Sequence, residues 1–158
     1  MKRNLHIILF LVIGILSCSS PIKEGSSFNF FSEQFADLKV LRYQIPGFDE
    51  LSLNQKKLVY YLTEAGLEGR DIMYDQNYRH NLSIRRALEN IYINYKGDRN
   101  SESWKSFEIY LKRLWFSNGI HHHYSNDKFD PNFSSEYLNE LLTSTETNLN
   151  EEAFNVIF

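Results

Sequence analysis

Three consecutive imidazoles, His121-His122-His123, are the densest group of chemistry-capable side chains in this 158-residue sequence. If the segment were a strand, neighbouring side chains would point to opposite faces, so only His121 and His123 could share a ligand. A catalytic zinc needs a third ligand and a base beside the metal-bound water. The sequence has no His-Glu-x-x-His, and beyond residue 17 His80 is the only other histidine. The residues therefore predict a polar loop packed among Tyr124, Phe129 and Phe133, ahead of a metal site.

The remaining candidates are quieter. Asp71 and Asp75, like Glu64 and Glu68, are four apart and fall on one helix face, which predicts solvated pairs ahead of a catalytic dyad. Arg85-Arg86 and Lys112-Arg113 read as exposed faces, and Tyr60, Tyr61, Tyr92, Tyr95, Trp104 and Trp115 sit at core spacing. There is no Gly-x-Ser-x-Gly elbow, phosphate loop or dinucleotide fingerprint. From chemistry alone, no self-contained active site is legible.

Composition bounds the class. The chain is 42% hydrophobic, 15% aromatic and 23% charged, which fits a folded protein and not a disordered one. Lys+Arg number 17 against Asp+Glu 20, so there is no basic excess and no nucleic-acid partner is expected. A single cysteine excludes an intramolecular disulfide framework and a thiolate zinc cluster.

That cysteine sits in an address segment. Lys2 and Arg3 precede an apolar run from Leu5 to Leu16, interrupted by His6 and Gly14. Twelve helical residues rise roughly 18 Å, short of the ~30 Å hydrocarbon core but suited to a signal peptide. Ile15-Leu16-Ser17-Cys18 resembles a bacterial lipobox, with Leu16 bulkier than usual. The resemblance implies an exported lipoprotein: a signal peptide over 1–17, lipidation of Cys18, and a polar tether over 18–34 that holds the rest at a membrane. The alternative is a secretory signal cut near Ser17 or Ser20.

The elements that must position any site are mainly helical. Leu38 to Ile45 alternates and predicts a short strand closed by Pro46-Gly47, whereas Phe28 to Phe35 is aromatic-rich but aperiodic. Ser52-Leu53-Asn54-Gln55 has capping-box form and opens a helix burying Leu58, Tyr61, Leu62, Ala65, Gly69, Ile72 and Met73, with a break near Gly66 open. Asn81 caps a second helix with Ile84, Leu88, Ile91, Tyr92 and Tyr95 inward. Ser101 or Ser103 opens a third, with Trp104, Phe107, Leu111, Leu114 and Trp115 inward and Gly119 at its stop. Ser134 or Ser135 starts a fourth, burying Leu138, Leu141 and Leu142, and Asn150-Glu151-Glu152 begins a fifth. The fold class is thus mainly α (α+β): a short strand, then four to five helices. Ala153, Phe154, Ile157 and Phe158 are apolar, which reads as a chain that continues into a core elsewhere, against the alternative of a terminal helix docked on its own domain.

Two stretches carry a family resemblance: FADLKVLRYQIPGFDELSLNQKKLVYYLTEAGLEGRDIMYDQN, from Phe35 to Asn77, and YKGDRNSESWKSFEIYLKRLWFSNGIHHHYSNDKFDPNF, from Tyr95 to Phe133. Both resemble the N-terminal region of bacterial dipeptidyl peptidase III, a family of two-lobed zinc exopeptidases that release dipeptides from peptide N-termini. Ser117-Asn118 and Asp127-Lys128-Phe129 are the most family-like pieces. The resemblance implies that 35–158 is an incomplete N-terminal portion of the mixed α/β lobe facing the zinc lobe. The family's zinc is held by an HExxGH helix and a glutamate of an EExxxE-type motif, and neither occurs here; Glu151-Glu152 does not fit the second. The implied activity belongs to the full-length enzyme, with a peptide substrate and a C-terminal zinc lobe as partners, while this chain binds no zinc and is inactive alone. The resemblance also implies substrate contact by Tyr124 at the peptide's N-terminal end, with Asn118 and His123 as neighbours; ordinary packing of Tyr124 stays open. A different class remains: a non-catalytic helical lipoprotein that binds a protein or peptide.

Overall fold

The computed structural model describes residues 28–158, so the signal peptide, Cys18 and most of the tether lie outside the described residues. Two antiparallel strands, β1 (Phe31–Phe35) and β2 (Leu38–Leu41), are followed by six helices: α1 (Leu53–Glu68), α2 (Arg70–Asn77), α3 (Asn81–Asn94), α4 (Glu102–Ser117), α5 (Ser135–Ser144) and α6 (Glu151–Asn155). The fold is mainly helical with a small sheet. Among the described residues no helix is long and apolar enough to cross a membrane.

Strand β1 is the element that alternation does not reveal. Its register shifts between Phe31 and Glu33, so a bulge breaks the two-residue period that would have marked it. Ala36, at a φ of 47°, turns the chain into β2. That strand ends at Leu41 and not at Ile45; past Arg42, whose N–H still reaches the Phe30 carbonyl at 2.7 Å, Tyr43 and Ile45 stand in solvent.

Helix α1 starts as its sequence predicts. Gln55 N–H donates to Ser52 Oγ, and Ser52 N–H donates to Gln55 Oε1 at 2.9 Å, the reciprocal capping box. The predicted burial does not follow. No residue of α1 is buried, and Leu58, Tyr61, Leu62, Ile72 and Met73 are exposed together with Tyr60. The break falls at Gly69, which ends α1 and precedes α2.

The core is built from α3 to α6 with Tyr74 of α2. Ile84, Leu88, Ile91, Phe107, Leu111, Leu114, Leu138 and Leu141 are buried, as their helical spacing predicts. Trp104 stacks on Tyr95 with ring centroids 4.6 Å apart, and the Arg99 guanidinium lies 4.9 Å from the indole centroid. Ser101, Ser134 and Asn150 each accept a backbone N–H three residues on, so with Ser52 four of the predicted starts are true caps. At the C-terminal end Ala153 and Ile157 are 0% exposed. These two side chains pack within the core, while Phe154 is partly buried and Phe158 stays 41% exposed.

Candidate functional site

The site lies where the start of α3 meets the loop leaving α4. Asn81 does not cap α3, as its residue type suggested; His80 occupies the cap and Asn81 is the first helical residue. Its side chain, on a residue only 1% exposed, turns instead toward the loop. Asn81 Oδ1 accepts the Ile120 N–H at 3.1 Å, and Nδ2 donates to the Asn118 carbonyl at 3.4 Å. Asn77 Nδ2, from the end of α2, donates to that same carbonyl at 3.3 Å. Two amides thus clamp one turn.

The turn is shaped by its own residues. Asn118 ends α4 in the left-handed region at φ 54°, a conformation that asparagine tolerates better than most side chains. Gly119 follows at φ 154°, and a Cβ there would collide with the Asn81 carboxamide. The chain then pairs once with the returning segment: Phe129 N–H donates to the Ile120 carbonyl and His122 N–H to the Asp127 carbonyl, each at 2.8 Å, with His121 opposite Lys128.

Between these elements lies a cleft of about 480 Å³. Asn77, Asn81, Asn118 and Asn126 line it with Ser117, Ser125 and all three histidines; among the described residues no carboxylate, lysine or arginine does. The Oγ of Ser117, on a residue 6% exposed, has no hydrogen-bond partner among the described residues. The wall is therefore uncharged in its asparagines and serines, and rich in groups that both donate and accept.

The histidines do not behave as a strand. Only His121 pairs, and the chain turns from His123, so alternation of faces does not apply and His122 and His123 stack with centroids 4.5 Å apart. His121 packs edge-on against Tyr78 at 5.2 Å, and His123 against Phe116 at 5.1 Å. Phe129 is a neighbour of His122 at 6.1 Å, as predicted, but Phe133 is not a neighbour of the triplet: it lies beside Phe107 and Tyr110. Among the described residues no group of three His, Cys, Asp or Glu side chains converges on a metal-sized site. This donor set does not fit a zinc ion.

Of the three residues drawn from the resemblance, Asn118 and His123 share the cleft and Tyr124 does not line it. The Tyr124 ring is 89% exposed, 4.2 Å from His123 by centroids, and belongs to an adjoining hollow with Arg113 and Lys128. Ordinary core packing does not describe it. Asn77, Asn81 and Ser117 are site residues that the sequence did not reveal. They come from three different helix ends, and the available signal, the Asn-Gly pair after α4, points to a turn and not to a cleft.

Two charged groups also depart from their sequence reading. Arg85 is buried; its Nη1 meets Asp71 Oδ1 at 2.7 Å, and Arg86 Nη2 meets Asp71 Oδ2 at 2.7 Å. Asp71 is thus no free member of a solvated pair, and the hydrogen bond from Arg86, joined by Arg85, holds its carboxyl below the usual value. Lys112 and Arg113 are half-buried and reach back to the hairpin, at Glu33 and Asp37.

Fold and cleft together define a mainly helical domain with an amide- and imidazole-lined depression at the junction of α2, α3 and α4. No protein-family model matches the chain, and no curated protein matches it.

Proposed function

We propose that this chain is the front part of the non-zinc lobe of a dipeptidyl peptidase III-like exopeptidase, and that its own share of the work is to hold the N-terminal end of a peptide. The observation that supports this reading is the meeting of Asn118 and His123, both drawn from the family resemblance, in one hydrogen-bonding cleft. Carboxamides and imidazoles offer a donor beside an acceptor, the complement of a peptide unit. Tyr124 stands at the rim, where an exposed ring is free to cover an apolar side chain. The zinc of the family and its chemistry belong to a further lobe, which makes the full enzyme the dipeptide-releasing species. In this reading the chain is exported and held at a membrane through Cys18.

The test is titration of the purified chain with a free-amino tetrapeptide, followed by calorimetry, in parallel with a dipeptide-release assay in added zinc. Saturable binding that Asn118→Gly weakens, with no turnover, is the expected result. Glycine is the suitable replacement because it keeps the left-handed turn while deleting the amide. Chelator-sensitive release of dipeptides by this chain would overturn the assignment of chemistry to another lobe. An unbroken reading frame from the Phe158 codon to an HExxGH motif would establish the enzyme.

A non-catalytic lipoprotein that binds a protein or peptide is the second reading. The feature that favours it is the core of α3 to α6, which closes around Ile84, Leu111 and Ile157 using only described residues.

A further inference from the structure

Helix α1 carries an apolar stripe that the described residues leave uncovered. Leu58, Tyr61 and Leu62 lie on one side with Ala65 at helical spacing, and each of the three large side chains is at least 59% exposed. Beside the stripe stand Lys57 and Glu64, seven residues apart and therefore on one flank. Neither has an ion-pair partner among the described residues. The charges also run against the dipole of their own helix: Lys56 and Lys57 lie toward its start, Glu64 and Glu68 toward its end, with no acid in the first turn and no base in the last. A solitary helix is better served by the opposite order.

An antiparallel helix of the same sequence answers both features. We propose that α1 is a contact surface for a second copy of this chain, paired antiparallel about a two-fold axis near Tyr60 and Tyr61. Lys57 of each copy then faces Glu64 of the other, and the symmetry forms that ion pair twice. The lysine-bearing start of each helix lies beside the carbonyl end of its neighbour, where positive charge is favoured. The Leu58, Tyr61, Leu62 and Ala65 stripes face one another and leave water. A parallel pair forms neither ion pair and aligns the two dipoles. The surface is separate from the cleft, which no residue of α1 lines, so the inference does not rest on the peptidase reading.

The test uses the full chain carrying Cys18→Ser, so that introduced thiols are the only ones. Lys57→Cys and Glu64→Cys chains, mixed and oxidised, are expected to form a disulfide-linked dimer. Each variant alone is expected to form none, because like positions lie about 10 Å apart along the axis, beyond the ~7 Å that a disulfide spans. In sedimentation, Lys57→Glu and Glu64→Lys should each weaken self-association about tenfold by setting like charges together, and the double reversal in one chain should restore it. Cross-linking by either variant alone, no cross-linking in the mixture, or failure of the double reversal to restore association overturns the proposal. So does a chain that stays monomeric and moves onto phosphatidylglycerol vesicles, which would assign the stripe to a lipid surface.

Discussion

The carboxamide of Asn81 fills the space that a Cβ on Gly119 would need. One buried amide therefore sets the approach of α3 to the loop after α4, and with it the depth of the cleft. Gly119→Ala must displace that amide and adopt a φ of 154°. The expected loss of stability is about 1–3 kcal/mol, the usual cost of a strained backbone position, read from denaturant midpoints at constant slope.

Asn118→Gly separates binding from folding. The turn keeps its left-handed residue, so the melting temperature should move little, while peptide affinity falls by about tenfold if one amide hydrogen bond is lost. A matched loss of stability and binding would show that the amide supports the turn and not a ligand.

Asp71→Asn leaves the buried Arg85 with Glu89, 3.2 Å from its Nε, as its remaining carboxylate, and removes the ionic link to α2, so it should destabilise the junction of α2 and α3. The pH dependence has a definite sign. Because Arg86 and Arg85 depress the folded-state pKa of Asp71, its stabilising effect is full above the ordinary value of 3.8 and is lost as pH falls through the lower folded value. Acid titration of the wild type should therefore lose a stabilising increment that Asp71→Asn never had.

Tyr110→Phe should leave stability unchanged or raise it by up to about 1 kcal/mol. The phenol is buried without a hydrogen-bond partner among the described residues, and burial pushes its pKa well above the ordinary range. Thermal unfolding of the variant is the check; a marked fall in stability would reveal a partner for the hydroxyl.

The hairpin should loosen in salt. Lys112 and Arg113 meet Glu33 and Asp37 across its contact with α4. Ions shorten the screening length from about 10 Å at 0.1 M to 3 Å at 1 M, so amide exchange in β1 and β2 should quicken while that of α4 holds. The Glu33 hydrogen bond raises the Lys112 pKa. That contribution is full below the ordinary lysine value and is lost as pH rises through the higher folded one.

The legible parts of this fold are those where local chemistry decides. Ser52, Ser101, Ser134 and Asn150 cap helices because a short polar side chain finds a backbone N–H three residues away, whatever surrounds it. The stripe of Ile84, Leu88 and Ile91 is equally plain. Helix α1 misleads because an apolar face encodes the need for a neighbour and not its presence. Asn81 misleads because a residue suited to capping was used for a long-range clamp. The cleft is least legible, since Asn77, Asn81 and Ser117 meet only after three helix ends have been brought together.

Both tryptophans of the chain lie on α4, Trp104 within the aromatic stack and Trp115 with its indole N–H donating to Glu89 at 2.8 Å. Tryptophan emission, excited beyond the tyrosine band, is thus a report from α4, at its seam with α3 and beside the hairpin. Release of the hairpin, whose Glu33, Phe35 and Val40 share a hollow with Trp115, would reach that emission, whereas separation of two α1 helices, which carry Tyr60 and Tyr61 but no tryptophan, would not. To watch α1 by the same light, a tryptophan must be placed on it.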